Sequence, residues 1–347
     1  MTIFPDCPLP INEYPRVLLA HGGGGRLTQN LIERMLLPTF DNPFLAPLHD
    51  GALLTLGDQR LAFSTDSYVV QPPFFPGGDI GRLAVFGTAN DLAMCGARPL
   101  FLSCGLILEE GLAMDDLWRV VVSMREAAQE ANVQIVTGDS KVVERGKGDG
   151  VFINTAGIGL VLPGIDIGSQ RVQPGDEIVL SGSLGLHGIA IMALREGLSL
   201  DVTVESDTAP VFPLVEALAN DGIDIHMLRD PTRGGLSSAL NEIAKKAGMG
   251  IVIDEERLPV SPEVQGVCEI LGLDPLYVAN EGNFIAFVPA GEGERAASLL
   301  RRLPHGEEAI VIGRVVAKDA GTVVMRTRIR GERIVDVMSG EQLPRIC

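Results

Sequence analysis

The chain has 347 residues, with 28 Lys and Arg against 45 Asp and Glu and a formal net charge of −17. At about 150 residues per domain this length favours two domains, each able to bury its own core, and 46% hydrophobic against 21% charged residues excludes a disordered chain. The acidity argues against nucleic acid or an anionic membrane as partner, while an anionic nucleotide stays compatible if Mg²⁺ stands between carboxylates and phosphates.

Strand and helix signals alternate along the chain, the α/β pattern. Pro5, Pro8 and Pro10 interrupt the apolar start, the first basic residue is Arg16, and no apolar run is long enough to span a bilayer, so neither a secretory signal nor a membrane helix is expected. His21-Gly22-Gly23-Gly24-Gly25 precedes a helix signal. Residues 61–64 read as a short strand running into Thr65-Asp66-Ser67, and Asp79 as the N-cap of a helix towards Met94. A helix follows over about 115–131, with Leu117, Val120, Val121, Met124, Ala127 and Ala128 at helical spacing. Residues 133–137 read as a strand with Gly138-Asp139-Ser140-Lys141 leaving its carboxyl end, and 151–159 as a buried strand.

The turn Gln173-Pro174-Gly175-Asp176 opens a second domain. It continues as a strand at 177–180, helices at 186–195 and 235–247, and strands at 251–253, 284–288, 309–316 and 322–328. The boundaries expected are 1–165, 170–337 and a mobile tail over 338–347, broken by Gly340 and Pro344.

Four groups of residues can carry chemistry. Asp50, Asp66, Asp91 and Asp139 sit near expected strand ends or on a helix leading from one; together they would hold Mg²⁺ against nucleotide phosphates, and singly they are caps or turn residues. The loops at Gly22–Gly25 and Asp230-Pro231-Thr232-Arg233-Gly234-Gly235 can bring backbone N–H groups close to phosphate oxygens, or serve as plain turns before helices. Neither fits a Walker A or a dinucleotide fingerprint, which disfavours common nucleotide folds and a nicotinamide-dependent dehydrogenase. Lys141 can contact phosphate, or accept a proton if burial depresses its pKa, and Glu281 before a strand is similarly open. Five cysteines form no CxxC pair, which points away from disulfides and structural zinc and towards a reducing cytoplasm. The last of them, Cys347, is not expected to be a CaaX prenylation site, which needs three residues after the thiol; it is either a chance terminal residue or a thiol on an arm whose eight residues span roughly 26 Å when extended.

Phe63-Ser-Thr-Asp-Ser-Tyr-Val-Val70, Gly87-Thr-Ala-Asn-Asp-Leu-Ala-Met-Cys-Gly-Ala-Arg-Pro99, Thr137-Gly-Asp-Ser-Lys-Val-Val143, Arg229-Asp-Pro-Thr-Arg-Gly-Gly-Leu236 and Pro344-Arg-Ile-Cys347 together resemble the HypE family of hydrogenase maturation proteins, carbamoyl dehydratases of the aminoimidazole-ribonucleotide-synthetase (PurM-like) superfamily. The likeness runs from about His21 to the C-terminus, and residues 1–14, with Cys7, lie outside it. It implies a PurM-like two-domain α/β (α+β) fold, an N-terminal domain that pairs into a homodimer barrel, and ATP between the domains. It implies that a carbamoyltransferase, HypF, loads the terminal thiol, that ATP-driven dehydration turns the S-carboxamide into an S-cyanide, and that the cyano group passes to iron on HypC–HypD.

In that setting Asp50, Asp66, Asp91 and Asp139 are the expected metal ligands. Gly23, Gly24, Asn90, Thr137, Asp230, Arg233, Gly234 and Gly235 are the expected nucleotide contacts. Cys347 carries the substrate, Lys141 tuned by Glu281 is the expected base, and Arg345 is expected to lower the thiol pKa. The rivals are another superfamily member, such as a selenophosphate synthetase or thiamine-monophosphate kinase, and a non-catalytic nucleotide-binding scaffold. A selenophosphate synthetase is expected to carry a reactive Cys or selenocysteine in its glycine-rich loop, and His21–Gly25 has none.

Overall fold

A computed structural model describes residues 15–198, 203–338, 343 and 345–347. Cys7 and Pro344, both named above, lie outside the described residues.

After the helical segment α1 (Arg26–Leu31) and α2 (Leu37–Phe40), the first domain is a five-stranded sheet with two long helices on one face. Its strands are β1 (Ala52–Leu56), β2 (Gln59–Tyr68), β5 (Ala97–Glu109), β6 (Gln134–Val143) and β7 (Val151–Val161), in the order β1-β2-β7-β5-β6; β3 (Phe74–Phe75) and β4 (Gly78–Asp79) form a separate small hairpin. Among the described residues of this sheet only β5 and β6 pair in parallel, so it is not the open parallel sheet whose strand ends would gather ligands.

Helix α3 (Ile80–Met94) starts where expected: Asp79 Oδ1 accepts from the N–H groups of Gly81 (2.7 Å) and Arg82 (3.1 Å). It is apolar nearly all round, which suits a helix buried on every side. One flank packs on β2, β5 and β7, another on α4 (Met114–Glu130), and its end, Ala93 and Met94, enters the core of the second domain. Leu83, Phe86 and Leu92 are fully buried, each contributing about 1.5–3 kcal/mol relative to exposure.

Two strands are longer than the sequence reading expects, and the difference moves functional residues. β2 continues through Asp66 to Tyr68 because β7 pairs with it along that length, Asp66 opposite Thr155. β6 continues to Val143 against β5, with Asp139 opposite Gly105 and Lys141 opposite Ile107. Asp66, Asp139 and Lys141 are therefore strand residues, not loop residues, and the period of two decides which face each one takes.

The second domain is a seven-stranded sheet in the order β14-β13-β10-β12-β8-β11-β9, built from β8 (Glu177–Leu180), β9 (Met227–Arg229), β10 (Gly250–Asp254), β11 (Ile285–Val288), β12 (Ile310–Val316), β13 (Val323–Arg326) and β14 (Glu332–Val335). Its helices are α5 (Leu186–Arg195), α6 (Phe212–Asn220), α7 (Gly235–Ala247), α8 (Pro262–Leu271) and α9 (Gly293–Leu300). The Gln173–Asp176 turn is tied by Asp176 Oδ2, which accepts from Gln173 N–H at 3.0 Å. Among the described residues, no helix is long and apolar enough to cross a membrane.

The described end of the expected mobile tail is docked. Leu343, Ile346 and Cys347 are buried in a cluster with Tyr68, Val70, Ile189 and Val264, between the end of β2 and the second domain. Val69 N–H donates to Cys347 O (3.0 Å) and Gln71 N–H to Arg345 O (3.3 Å), as an added strand would be held.

Candidate active site

Strand, helix and loop converge where the domains meet. Asp50 lies just before β1, Asp91 sits inside α3, and Asp230 follows β9 of the second domain. Among the described residues these three carboxylates offer oxygens all within 4.8 Å of one another. Asp50 Oδ2 is buried and makes no hydrogen bond; Asp91 Oδ2 accepts from Ser64 Oγ at 2.6 Å. Burial raises the pKa of all three, Asp230 to about 6, and mutual repulsion adds to the effect for Asp50 and Asp91. A set of hard oxygens with an orphaned lone pair and excess negative charge suits a divalent cation such as Mg²⁺.

Arg229 supports the cluster from behind. Its Nε pairs with Asp50 Oδ1 at 2.9 Å and its Nη2 with Glu242 Oε2 at 2.7 Å. Burial disfavours its charge, but Asp50, Glu242, Asp230 and Asp91 more than offset that and hold it protonated. The two glycine loops also meet here. Gly24 has φ +76°, and a Cβ there would sit 2.6 Å from the carbonyl oxygen of Arg233; Ser238 Oγ donates to Gly24 O at 3.2 Å. Gly234 and Gly235, both at positive φ, turn the chain into α7 so that its N-terminus opens beside Arg233.

Cys347 reaches this place. Its strongest charged neighbours are Arg233, Glu281, Asp66 and Asp230. Burial pushes its thiol up to about 12, Arg233 acting against that shift. The guanidinium beside the sulfur is thus Arg233, which also pairs with Asp66 at 3.6 Å. Arg345, expected in that role, turns away to pair with Asp149 and donates to Val69 O at 3.0 Å. Glu281 is buried, its Oε1 has no hydrogen-bond partner, and burial followed by repulsion from Asp230, Asp66 and Asp207 raises its pKa. Asp207 fixes it by accepting from the N–H groups of Glu281 (3.1 Å) and Gly282 (3.2 Å).

The expected residues therefore divide. Asp50, Asp66, Asp91, Asp230, Arg233, Gly24, Gly234, Gly235, Glu281 and Cys347 gather; Gly23 lies in the same loop. Asp230, expected as a nucleotide contact, is a cluster carboxylate. Asn90 borders the site through backbone: its Nδ2 donates to Ala209 O (3.0 Å) and to Glu281 O (3.4 Å), and its Oδ1 accepts from Val211 N–H (2.9 Å), riveting the domains together. Thr137, Asp139 and Lys141 do not join within one chain. Register places them on the sheet face opposite to Asp66, where Lys141 Nζ binds Asp139 Oδ2 at 2.6 Å in the open. Arg229, Glu242 and Asp207 were not singled out from sequence; only the adjacency of Arg229 to Asp230 hinted at one of them.

Residues 48–161 match the family described as AIR synthase related protein, N-terminal domain, and 173–326 its C-terminal domain. The chain is 53% identical over 335 residues to carbamoyl dehydratase HypE of Rhodobacter capsulatus, covering 96% of this chain and 98% of that one. Among solved structures, HypE in complex with ATP superposes with a TM-score of 0.81 at 52% identity, covering 96% of this chain and 100% of that one. A HypE–HypF complex superposes with a TM-score of 0.84 at 44% identity, covering 89% and 99%. With its carboxylates, glycine loops and docked terminal thiol at one domain junction, the chain belongs to the HypE family of carbamoyl dehydratases that act in hydrogenase maturation.

Proposed function

We propose that the chain binds ATP at this junction and uses it to dehydrate a carbamoyl group carried on Cys347, turning an S-carboxamide into an S-cyanide. The observation that carries this reading is the burial of the Cys347 sulfur beside Arg233 and Glu281, next to a carboxylate set suited to a nucleotide-bound cation. A HypE structure with ATP supports the nucleotide. Asp50, Asp91 and Asp230 would hold Mg²⁺, with Asp66 alongside; when bound, it neutralises phosphate charge and steadies the γ-phosphoryl group.

An amide oxygen leaves poorly, so it first attacks the γ-phosphorus, releasing ADP. Loss of both nitrogen protons then expels that oxygen within phosphate and leaves the nitrile. Arg233 and the α7 N-terminus face the developing phosphate charge together with Gly23, Gly24, Gly234 and Gly235. The orphaned Glu281 Oε1 is the acceptor offered to the carboxamide N–H.

Burial sorts the chemistry of the sulfur. A thiol raised to about 12 is a poor nucleophile at neutral pH, so loading by a HypF-type carbamoyltransferase belongs to an outward tail. The loaded thiocarbamate carries no charge on sulfur and enters at no cost in sulfur charge, and the product thiocyanate, equally uncharged at sulfur, leaves on the same terms. A HypE–HypF complex supports that partner, and HypC–HypD is the expected acceptor of the cyano group.

The chain works as a homodimer. Phe63, Phe101 and Ile158 are neighbours across three strands on the uncovered sheet face, each about two-fifths exposed. A second copy laid there accounts for that apolar surface and carries Thr137, Asp139 and Lys141 to the neighbouring site, Lys141 as the base. The four described cysteines are unpaired, as suits the reducing cytoplasm.

The test is peptide mass spectrometry after incubation with the transferase, carbamoyl phosphate and ATP. A carbamoyl adduct on Cys347 that loses one water only when ATP is consumed supports the reading; no adduct with a competent transferase refutes it.

A further inference from the structure

The imidazole of His187, in the first turn of α5, belongs to none of the chemistry above, although the residue's backbone bonds Asp207; the side chain is fully buried and touches the tail. Its Nε2 lies 2.6 Å from the carbonyl oxygen of Ile346 and its Nδ1 lies 2.8 Å from Ser206 Oγ. A carbonyl can only accept, so Nε2 carries the proton and donates. Nδ1 of the neutral ring then accepts, and the Ser206 hydroxyl supplies the hydrogen. Ser206 Oγ itself accepts from Thr208 N–H (3.1 Å) and lies 2.6 Å from Thr208 Oγ1, so the relay has one consistent direction ending on the tail. Phe75 meets the imidazole edge-on at 5.4 Å and fixes its plane.

Three further donors reach backbone carbonyls of the same segment. Arg195 of α5 donates to Arg345 O, Val69 N–H to Cys347 O (3.0 Å), and Gln71 N–H to Arg345 O (3.3 Å). All of these grip backbone carbonyls of residues 345–347; none touches the sulfur. A grip of that kind is indifferent to whether the sulfur bears hydrogen, a carboxamide or a cyano group.

Building on the proposed function, we propose that His187 is a positioning residue, a latch that closes on the Ile346 carbonyl and holds the Cys347 sulfur, with whatever it carries, at the domain junction. The latch sets the balance between the docked tail, which serves dehydration, and the released tail, which serves loading. Burial keeps the ring neutral, with its pKa down at about 4, so the relay stays intact at neutral pH.

The experiment uses the full chain and two readouts: the iodoacetamide alkylation rate of Cys347, followed on the C-terminal peptide, and the single-turnover rate of water loss per loaded chain. His187→Phe is expected to raise alkylation about tenfold and slow water loss about as much, with loading by the transferase kept or faster. His187→Gln, which can present an amide N–H to Ile346 O, is expected to restore most of both rates. Should His187→Phe fail to fold, Ser206→Ala carries the test, loosening the ring with the same signs and about a threefold effect. Unchanged alkylation and water loss in a folded variant that still loads overturns the latch. Absence of water loss in the unmutated chain strikes the proposed function instead, and the latch is then decided by the alkylation rates alone.

Discussion

Asp66 and Asp139 lie on opposite faces of one sheet: Asp66 points to the side covered by α3, and Asp139 to the side left bare. No rotamer brings both to one cation within a chain, because strand alternation separates them by the thickness of the sheet. In the proposed homodimer Asp139 and Lys141 therefore serve the neighbouring subunit's site.

That arrangement makes complementation the expected result. Lys141→Ala and Cys347→Ser, each inactive alone, should regain about a quarter of wild-type turnover when co-refolded in equal amounts, since half the dimers are mixed and each mixed dimer keeps one intact site. Turnover assays on the mixture check this; activity no greater than the sum of the parents would place Lys141 outside the partner's site.

The largest influences on Asp91 after burial are its like-charged neighbours and a hydroxyl donor, Ser64, with the Arg229 charge a smaller counterweight. Asp91→Asn should therefore stabilise the metal-free protein by about 1 kcal/mol, or roughly 2–4 °C in melting temperature, while removing the stabilisation that Mg²⁺ and ATP confer together. Differential scanning calorimetry in chelator and in Mg²⁺–ATP reads both signs in one series.

Arg229 is the opposite case, a buried cation between Asp50 and Glu242. Arg229→Met leaves those carboxylates uncompensated and should cost about 3–5 kcal/mol in urea unfolding. A cost below about 1 kcal/mol would show that the pairs contribute nothing net.

How much of this was legible in the sequence follows from what each feature depends on. α3 could be read because a cap, Asp79, and an apolar run are local signals. β5, the longest strand among the described residues, has no clear local signal because Pro99 and Gly105 interrupt its pattern; the pairing that overrides them comes from β6 and β7, far away in the chain. The ends of β2 and β6 lie beyond their local sequence signals for the same reason, and with them the faces of Asp66 and Asp139. Asp50, Asp91 and Asp230 share no spacing, since two domains must dock before they meet. Nothing local in the sequence marks His187, because its partner, Ile346, is 159 positions away.

Acid should loosen the docked tail. His187 has its pKa lowered to about 4 in the fold against about 6.5 when exposed, so the unfolded chain binds the proton more readily. Its contribution is complete above about pH 6.5 and declines as pH falls towards 4. Urea midpoints at pH 7 and pH 5 should therefore drop further for the wild type than for His187→Gln; equal drops would show that the imidazole is not protonated on unfolding.

The most direct measurement puts a distance on the journey of the sulfur. Cys347 is loaded with a ¹³C-labelled carbamoyl group, Mn²⁺ replaces Mg²⁺ with a non-hydrolysable ATP analogue, and the label's relaxation is recorded. Strong paramagnetic broadening, abolished in the Asp50→Asn and Asp230→Asn proteins, is the expected result. A label that relaxes as it does in the diamagnetic Mg²⁺ complex would contradict the account.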